Sequence, residues 1–515
     1  MVVGRLLEAG CGDFVVCGGA RNAGFVALLE SAEGLQVWRH FEERGAAFFA
    51  LGRAKDTGRP CAVVTTSGTA VAECLPAVVE AYYSGLPLVV LSADRPERFL
   101  GSGAPQVIEQ EEIFGNYAAS NLDQWNGRKP LHLNVSLEEE VIDCSGWDAE
   151  VKGFLPDKIS FEVKSLRDFL GDGVFKGIIA MVGGLEPEDR EDVFYFLRDL
   201  GIPVVADVNS GIRELLQDLL VSEKSFVGNL PGRILRLGEV PVGRLWRDLE
   251  LDSSTEVLSI CRNGLPGLAR KSKVIHGNVG RVIRGLGEVD FIGDVRDDFP
   301  SGRPIFSHID ERLESFPDSE PGLVNLLSVY ATTGESLFIG NSLPIREWNE
   351  YGQRETPYAR VFANRGANGI DGQLSSWLGA TAETPDSWGV FGDLTTLYDL
   401  AAPAMFSQVE CQERVIVVIN NGGGQIFEHL PRFLQLTKNQ KEVIVQPQDF
   451  DLKGWAIMWD MDYLKIENRE GFDALEVGEK ALLVELIPNY SETAQFMGCE
   501  QSCVKLPTEL RRLLI

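Results

Sequence analysis

Short runs of β-branched and aliphatic residues recur along this chain, each closed by a Gly, Asn or Asp turn and followed by a helical pattern. The clearest lie at 14–17, 62–65, 88–91, 131–135, 178–182, 204–206, 257–260, 337–339, 389–391, 415–419 and 482–487. They do not alternate strictly between apolar and polar residues, as strands with one wet face would. Continuous apolar runs suit strands buried on both faces. Strands of that kind alternating with helices mean parallel sheets, because a parallel connection must cross over and usually does so as a helix. The fold expected is α/β throughout, with parallel sheets.

A chain of 515 residues is too long for one core and suits about three domains. Two stretches rich in Pro, Gly, Ser and charge, 152–165 and 300–322, read as linkers. They set expected domains at 1–155, 165–300 and 320–515. The net charge of −28 argues against nucleic-acid binding, which needs a basic surface. It also means that any anionic ligand must be met by a local cluster of arginines or backbone N–H groups. The nine cysteines show no CxxC pair and several sit in apolar runs, so reduced core thiols are expected. The first residues carry Arg5, Glu8 and Asp13, so no signal-peptide core is expected there, and the apolar runs are far too short to span a membrane. A cytoplasmic protein is expected. No GxxxxGK[ST], no GxGxxG after a strand and no HExxH occurs, so P-loop, dinucleotide and zinc-hydrolase readings lose their main support.

The segment from Trp388 carries the strongest chemical signal. One apolar run ends in Gly392-Asp393, a helical stretch follows, and a second run ends in Asn420-Asn421-Gly422-Gly423. Asp393 and Asn421 stand 28 residues apart, about one βαβ unit, so parallel pairing would bring both strand ends to one sheet edge. An Asp carboxylate, an Asn amide oxygen and a loop carbonyl are hard oxygen ligands of the kind Mg²⁺ takes together with phosphate oxygens. Glycines beside them let backbone N–H groups approach a diphosphate. Either motif alone would read as an ordinary turn; the pair at this spacing favours a site.

GD followed by NN resembles the signature of thiamine-diphosphate (ThDP) enzymes. The longer stretches GNSLPIREW, ANRGANGIDG, GDLTTLYDL and NNGGGQIF, with HFEERGAAFFALG, VTTSGTAVAECLPAVVEA, LSADRPE and GAPQVIEQ, resemble the 2-succinyl-5-enolpyruvyl-6-hydroxy-3-cyclohexene-1-carboxylate (SEPHCHC) synthases of menaquinone biosynthesis. The likeness covers both outer thirds; the middle third matches only in its α/β pattern. The resemblance implies a pyrimidine-binding domain, a cofactor-free central domain and a diphosphate-binding domain. It places Mg²⁺ (or Mn²⁺) on Asp393, Asn421 and the Gly423 carbonyl. Leu394, Thr395, Gly424, Gln425, Ile426 and Phe427 would line the cofactor, with Ile370 behind it. Glu43 would contact the aminopyrimidine and assist removal of the proton from the thiazolium. Glu42 and Glu43 beside Arg44 otherwise read as a surface cap, and Ile370 as a core residue.

The substrates the resemblance implies, 2-oxoglutarate and isochorismate, are dicarboxylates. The positions that match the family's substrate contacts are Arg21, Arg95, Gln106, Ser342, Arg346 and Arg365, with Phe427 and Leu430 as an apolar wall. Glu43, Arg95, Gln106, Ser342, Arg346 and Arg365 are the expected catalytic set. An Arg fork binds a carboxylate bidentately, although a single arginine is more often a surface ion pair. Two positions depart from the family: Ala20 stands where Ser is usual, and Leu268, with Lys271 just beyond, is the nearest match to a central-domain Lys. Both changes remove a polar contact on the isochorismate side. The family further implies a homo-oligomer, dimer or tetramer, whose active sites are shared between subunits. The competing readings are another ThDP decarboxylase or carboligase of the acetolactate-synthase type, and a catalytically degenerate relative.

Overall fold

The computed structural model describes residues 2–138, 150–154, 163–171, 177–226, 228–287, 303–409, 411–428, 433 and 435–503. The chain divides into two compact units. One holds residues 1–158, 364–385 and 395–412, the other residues 159–363, 386–394 and 413–515.

The first unit is built on strands β1 (Asp13–Val16), β2 (Gln36–Arg39), β3 (Cys61–Thr65), β4 (Leu88–Asp94) and β5 (Leu131–Ser136), in the order β2-β1-β3-β4-β5. Every pair is parallel. β3 and β4 are buried at every residue, which is why they read as unbroken apolar runs. Helix Glu43–Thr57 packs against helix Gln373–Ala380 with their backbones in contact. A Cβ added at Gly52 would lie 2.1 Å from the Ser376 carbonyl oxygen, and one at Gly379 2.0 Å from that of Phe49. Only glycine permits that approach.

The second unit holds two parallel sheets. β6 (Ile178–Val182), β7 (Val204–Ala206), β8 (Arg233–Leu237), β9 (Glu256–Cys261) and β10 (Lys273–His276) run in the order β10-β9-β8-β6-β7. β11 (Ser336–Ile339), β12 (Val361–Phe362), β13 (Ser387–Gly392), β14 (Arg414–Ile419), β15 (Asp462–Ile466) and β16 (Leu482–Leu486) run in the order β12-β11-β13-β14-β16-β15. Buried Arg213 ties the two layers together. Its guanidinium donates to the Trp348 carbonyl at 3.0 Å and the Gln353 carbonyl at 2.8 Å, and pairs with Glu214 at 2.7 Å.

The α/β class with three parallel sheets is as expected. Within the expected linker at 300–322, the described residues hold helix Arg303–Ser315 and the start of helix Glu320–Tyr330. Pro304 and Pro321 lie in the first turns of these helices, where a missing N–H costs nothing, so proline marked helix starts rather than a loop. Most of the other expected linker, residues 155–162, lies outside the described residues. Cys11, Cys17, Cys61, Cys74 and Cys261 are buried free thiols and Cys411 a half-buried one, in line with the reading of core thiols. Among the described residues no helix is long and apolar enough to cross a membrane.

Candidate active site

β13 and β14 pair in parallel with Gly392 opposite Ile419, so the turns that follow them leave the sheet side by side. Asp393 accepts the Gly423 N–H at 2.6 Å through Oδ2 and the Leu394 N–H at 2.6 Å through Oδ1. The two motifs separated in sequence are therefore in contact. Asp393 is 3% exposed, and burial raises its pKa above the ordinary carboxylate value against the pull of the backbone N–H groups it accepts from. A carboxylate held this way gains from a cation. Gly423 takes φ +123°, and a Cβ there would come within 2.7 Å of the Val445 and Gln446 carbonyl oxygens, so the loop can close only with glycine. The Gly423 carbonyl accepts from Gln425 N–H at 2.8 Å and keeps a second lone pair for another partner.

Of the two asparagines, Asn420 is structural: its amide donates to the Phe450 carbonyl at 3.0 Å and to buried Glu485 at 2.6 Å. Asn421 is half-buried and donates through Nδ2 to Glu320 at 2.8 Å. A cavity of about 270 Å³ opens beside this loop, lined among others by Asn421, Gly422, Gln425, Gln448, Glu320 and Tyr490. Gln425, Ile426 and Phe427 form one 3₁₀ turn, half-buried, with Phe427 edge-on to Phe433. Thr395 is buried, Leu394 and Gly424 half-buried. Leu430 lies outside the described residues. Carboxylate, amide oxygen and carbonyl together form a donor set that fits Mg²⁺ with a diphosphate.

In the first unit, Glu42 and Glu43 separate into two roles. Glu42 caps helix Glu43–Thr57 by accepting the Gly45 N–H at 2.8 Å and faces Arg44 at 3.4 Å, as the cap reading expected of the pair. Glu43 is half-buried, and burial raises its pKa. Arg21 donates to the Leu137 carbonyl at 3.0 Å, in a turn fixed by Asn22, which accepts from Gly19 N–H and donates to the Cys17 carbonyl, both at 2.8 Å. Ala20 is exposed in that turn. Arg95 follows β4, and its guanidinium lies 5.5 Å from the Phe99 ring centre. Its buried Nε meets no acceptor among the described residues. Gln106 is exposed with φ +57°. Arg365 is 7% exposed in a turn held by Glu80, whose carboxylate accepts Gly366 and Ala367 N–H, each at 2.7 Å. Ile370, in the same segment, is half-buried.

Ser342 sits at φ +72° in the elbow between β11 and helix Leu343–Tyr351, a strained position for a residue with a Cβ. One turn on, Arg346 donates to the Ser342 carbonyl and lines a cavity of about 210 Å³ between the two sheets of the second unit. The sequence reading missed its neighbours there. Arg244 and Arg247 line the same cavity from the turn and helix after β8, a strand disguised by Arg233 and Arg236. Leu268 is 6% exposed in the apolar core with Trp246, Ile179 and Met181, and does not line this cavity. A lysine there would have to bury its charge, and Leu268 packs in the apolar core.

Comparison with known proteins identifies the family. The family description "Thiamine pyrophosphate enzyme, N-terminal TPP binding domain" matches residues 1–113. A 2-succinyl-5-enolpyruvyl-6-hydroxy-3-cyclohexene-1-carboxylate synthase of Akkermansia muciniphila is 42% identical over 94% of this chain and 94% of that protein. The chain belongs to this synthase family. Synthases of the same name from Bdellovibrio bacteriovorus and Geobacillus thermodenitrificans are 37% identical over 96% of this chain and 31% identical over 84% of it. The chain is thus a ThDP enzyme of the SEPHCHC synthase family, with the likeness running over nearly its whole length.

Proposed function

We propose that this chain decarboxylates 2-oxoglutarate and adds the succinyl unit that remains to isochorismate by 1,4-addition, giving SEPHCHC for menaquinone or phylloquinone biosynthesis. The observation that carries the reading is the contact between Asp393 and the Gly423 loop, made by a chain of this family. ThDP supplies, when bound, the carbanion chemistry that breaks and makes the carbon–carbon bonds. Asp393, Asn421 and the Gly423 carbonyl hold its diphosphate through Mg²⁺ or Mn²⁺. Glu43 holds a proton at the aminopyrimidine, a task suited by a half-buried carboxyl with a raised pKa. Arg346 with Arg244, and Arg21, Arg95 and Arg365, take the substrate carboxylates; Ser342 and Gln106 hydrogen-bond the bound substrates. Arg346 and Arg244 in the second unit, and Arg21, Arg95 and Arg365 in the first, are local cations that offset the repulsion a net charge of −28 sets against dianions.

A donor screen tests the reaction. With ThDP and Mg²⁺, 2-oxoglutarate plus isochorismate is expected to give a product of SEPHCHC mass. Pyruvate turned over equally well would return the chain to a broader carboligase role.

We further propose a homo-oligomer in which Glu43 of one chain and the Asp393 set of another serve one cofactor, as the family architecture implies. Glu43→Gln and Asp393→Asn are each expected to be inactive. Random mixing makes about half the dimers mixed, each with one intact site of two, so roughly a quarter of wild-type activity returns. Subunits that exchange without any return of activity would place both residues in a site within one chain.

A further inference from the structure

Glu320 is 3% exposed and Glu347 2% exposed, two buried carboxyls that line the same cavity as Asn421. Neither belongs to the donor set above. A buried carboxyl pair is costly to maintain, and among the described residues no ion pair offsets this one. The backbone around Glu320 is firmly fixed. Ser319 caps helix Glu320–Tyr330 by accepting the Gly322 N–H at 3.1 Å, and Glu320 N–H donates to Thr493 Oγ1 at 2.9 Å. Gly322 lies so close to its neighbours that a Cβ would meet the Pro317 carbonyl oxygen at 2.5 Å. From this anchored position Glu320 Oε1 accepts the Asn421 Nδ2–H at 2.8 Å.

The two arms of an Asn amide are alike in shape and opposite in polarity. An amide that turned over would present N–H groups to a cation and lose its role as a ligand. We propose that Glu320 is a positioning residue for the metal site: by committing the Asn421 nitrogen, it leaves the amide oxygen as the arm for the divalent cation. Outer partners of this kind orient metal ligands, and their loss typically costs about 10–100-fold in metal affinity. The inference rests on the reading of Asn421 as a metal ligand.

The test measures, by calorimetry, the Mg²⁺ concentration that half-saturates ThDP binding. Glu320→Met, which removes the acceptor, is expected to raise it about 10–100-fold, while Glu320→Gln, which keeps an acceptor, stays near wild type. Asn421→Asp alone sets two carboxyls face to face and raises the requirement. In the double variant Glu320→Gln/Asn421→Asp the hydrogen bond runs in the opposite direction, so the requirement falls below that of Asn421→Asp alone. A purely structural role would not produce that rescue. An unchanged Mg²⁺ requirement in Glu320→Met, or a double variant no better than Asn421→Asp, overturns the positioning role. Wild-type protein that binds ThDP equally well in chelator overturns the metal reading itself, and this inference with it.

Discussion

The edge formed by Asp393 and Asn421 and the cavity around Arg346 both lie in the second unit, yet they are built in opposite ways. The first uses short side chains that leave a strand directly, so the register of β13 and β14 fixes where they point. The second gathers long side chains from the helix after β11 and from the turn and helix after β8, two elements about a hundred residues apart in sequence. A site made of strand ends is set by local rules of spacing. A site made of arginines from different sheets is set only by how the sheets pack. The edge is therefore expected to be exacting, and the cavity to share its work among several groups.

Mutation can break or sharpen that contrast. The largest effect is expected outside both regions, at Glu43. Glu43→Gln removes a proton carrier while keeping its shape. ThDP binding should survive while exchange of the thiazolium proton and turnover fall by about 10²–10⁴-fold, the usual worth of a positioned acid or base. Comparable loss of ThDP binding would make Glu43 a binding group like the Asp393 edge. A smaller effect is expected in the cavity. Arg346→Met removes a charge-assisted contact worth about 1.5–3 kcal/mol, read as a lower kcat/KM for an anionic substrate with ThDP binding unchanged. Arg244→Met should cost less, because that side chain is half exposed and solvent screens it. Unchanged kinetics in both variants would return these arginines to surface ion pairs.

The same contrast explains what could be read from sequence. Interior strands such as β6, β14 and β16 are buried at every residue and were legible as apolar runs. β2 and β10 lie at sheet edges with only one buried residue each, and β12 has two residues in all, so none stood out. β8 is interior but carries Arg236, fully buried because it donates to the Leu265 carbonyl at 2.8 Å and the Pro266 carbonyl at 3.0 Å and lies over Trp246. Local pattern cannot foresee such remote partners. Missing β8 hid Arg244. Asp393 and Asn421 were legible from one βαβ spacing. Glu320 and Glu80 were not, since the groups they hold lie 101 and 286 residues away.

The central claim is that the Asp393 and Asn421 edge binds the cofactor's diphosphate through a divalent ion. Its most direct test is calorimetric titration of ThDP into wild type and Asp393→Ala, each with Mg²⁺ and each in chelator. Asp393 contributes the one charged ligand of the proposed set and also anchors the Gly423 loop. Wild type is expected to bind ThDP with Mg²⁺ and to lose that binding in chelator, while Asp393→Ala binds weakly under both conditions. Tight binding by wild type in chelator, or by Asp393→Ala with Mg²⁺, would contradict the claim.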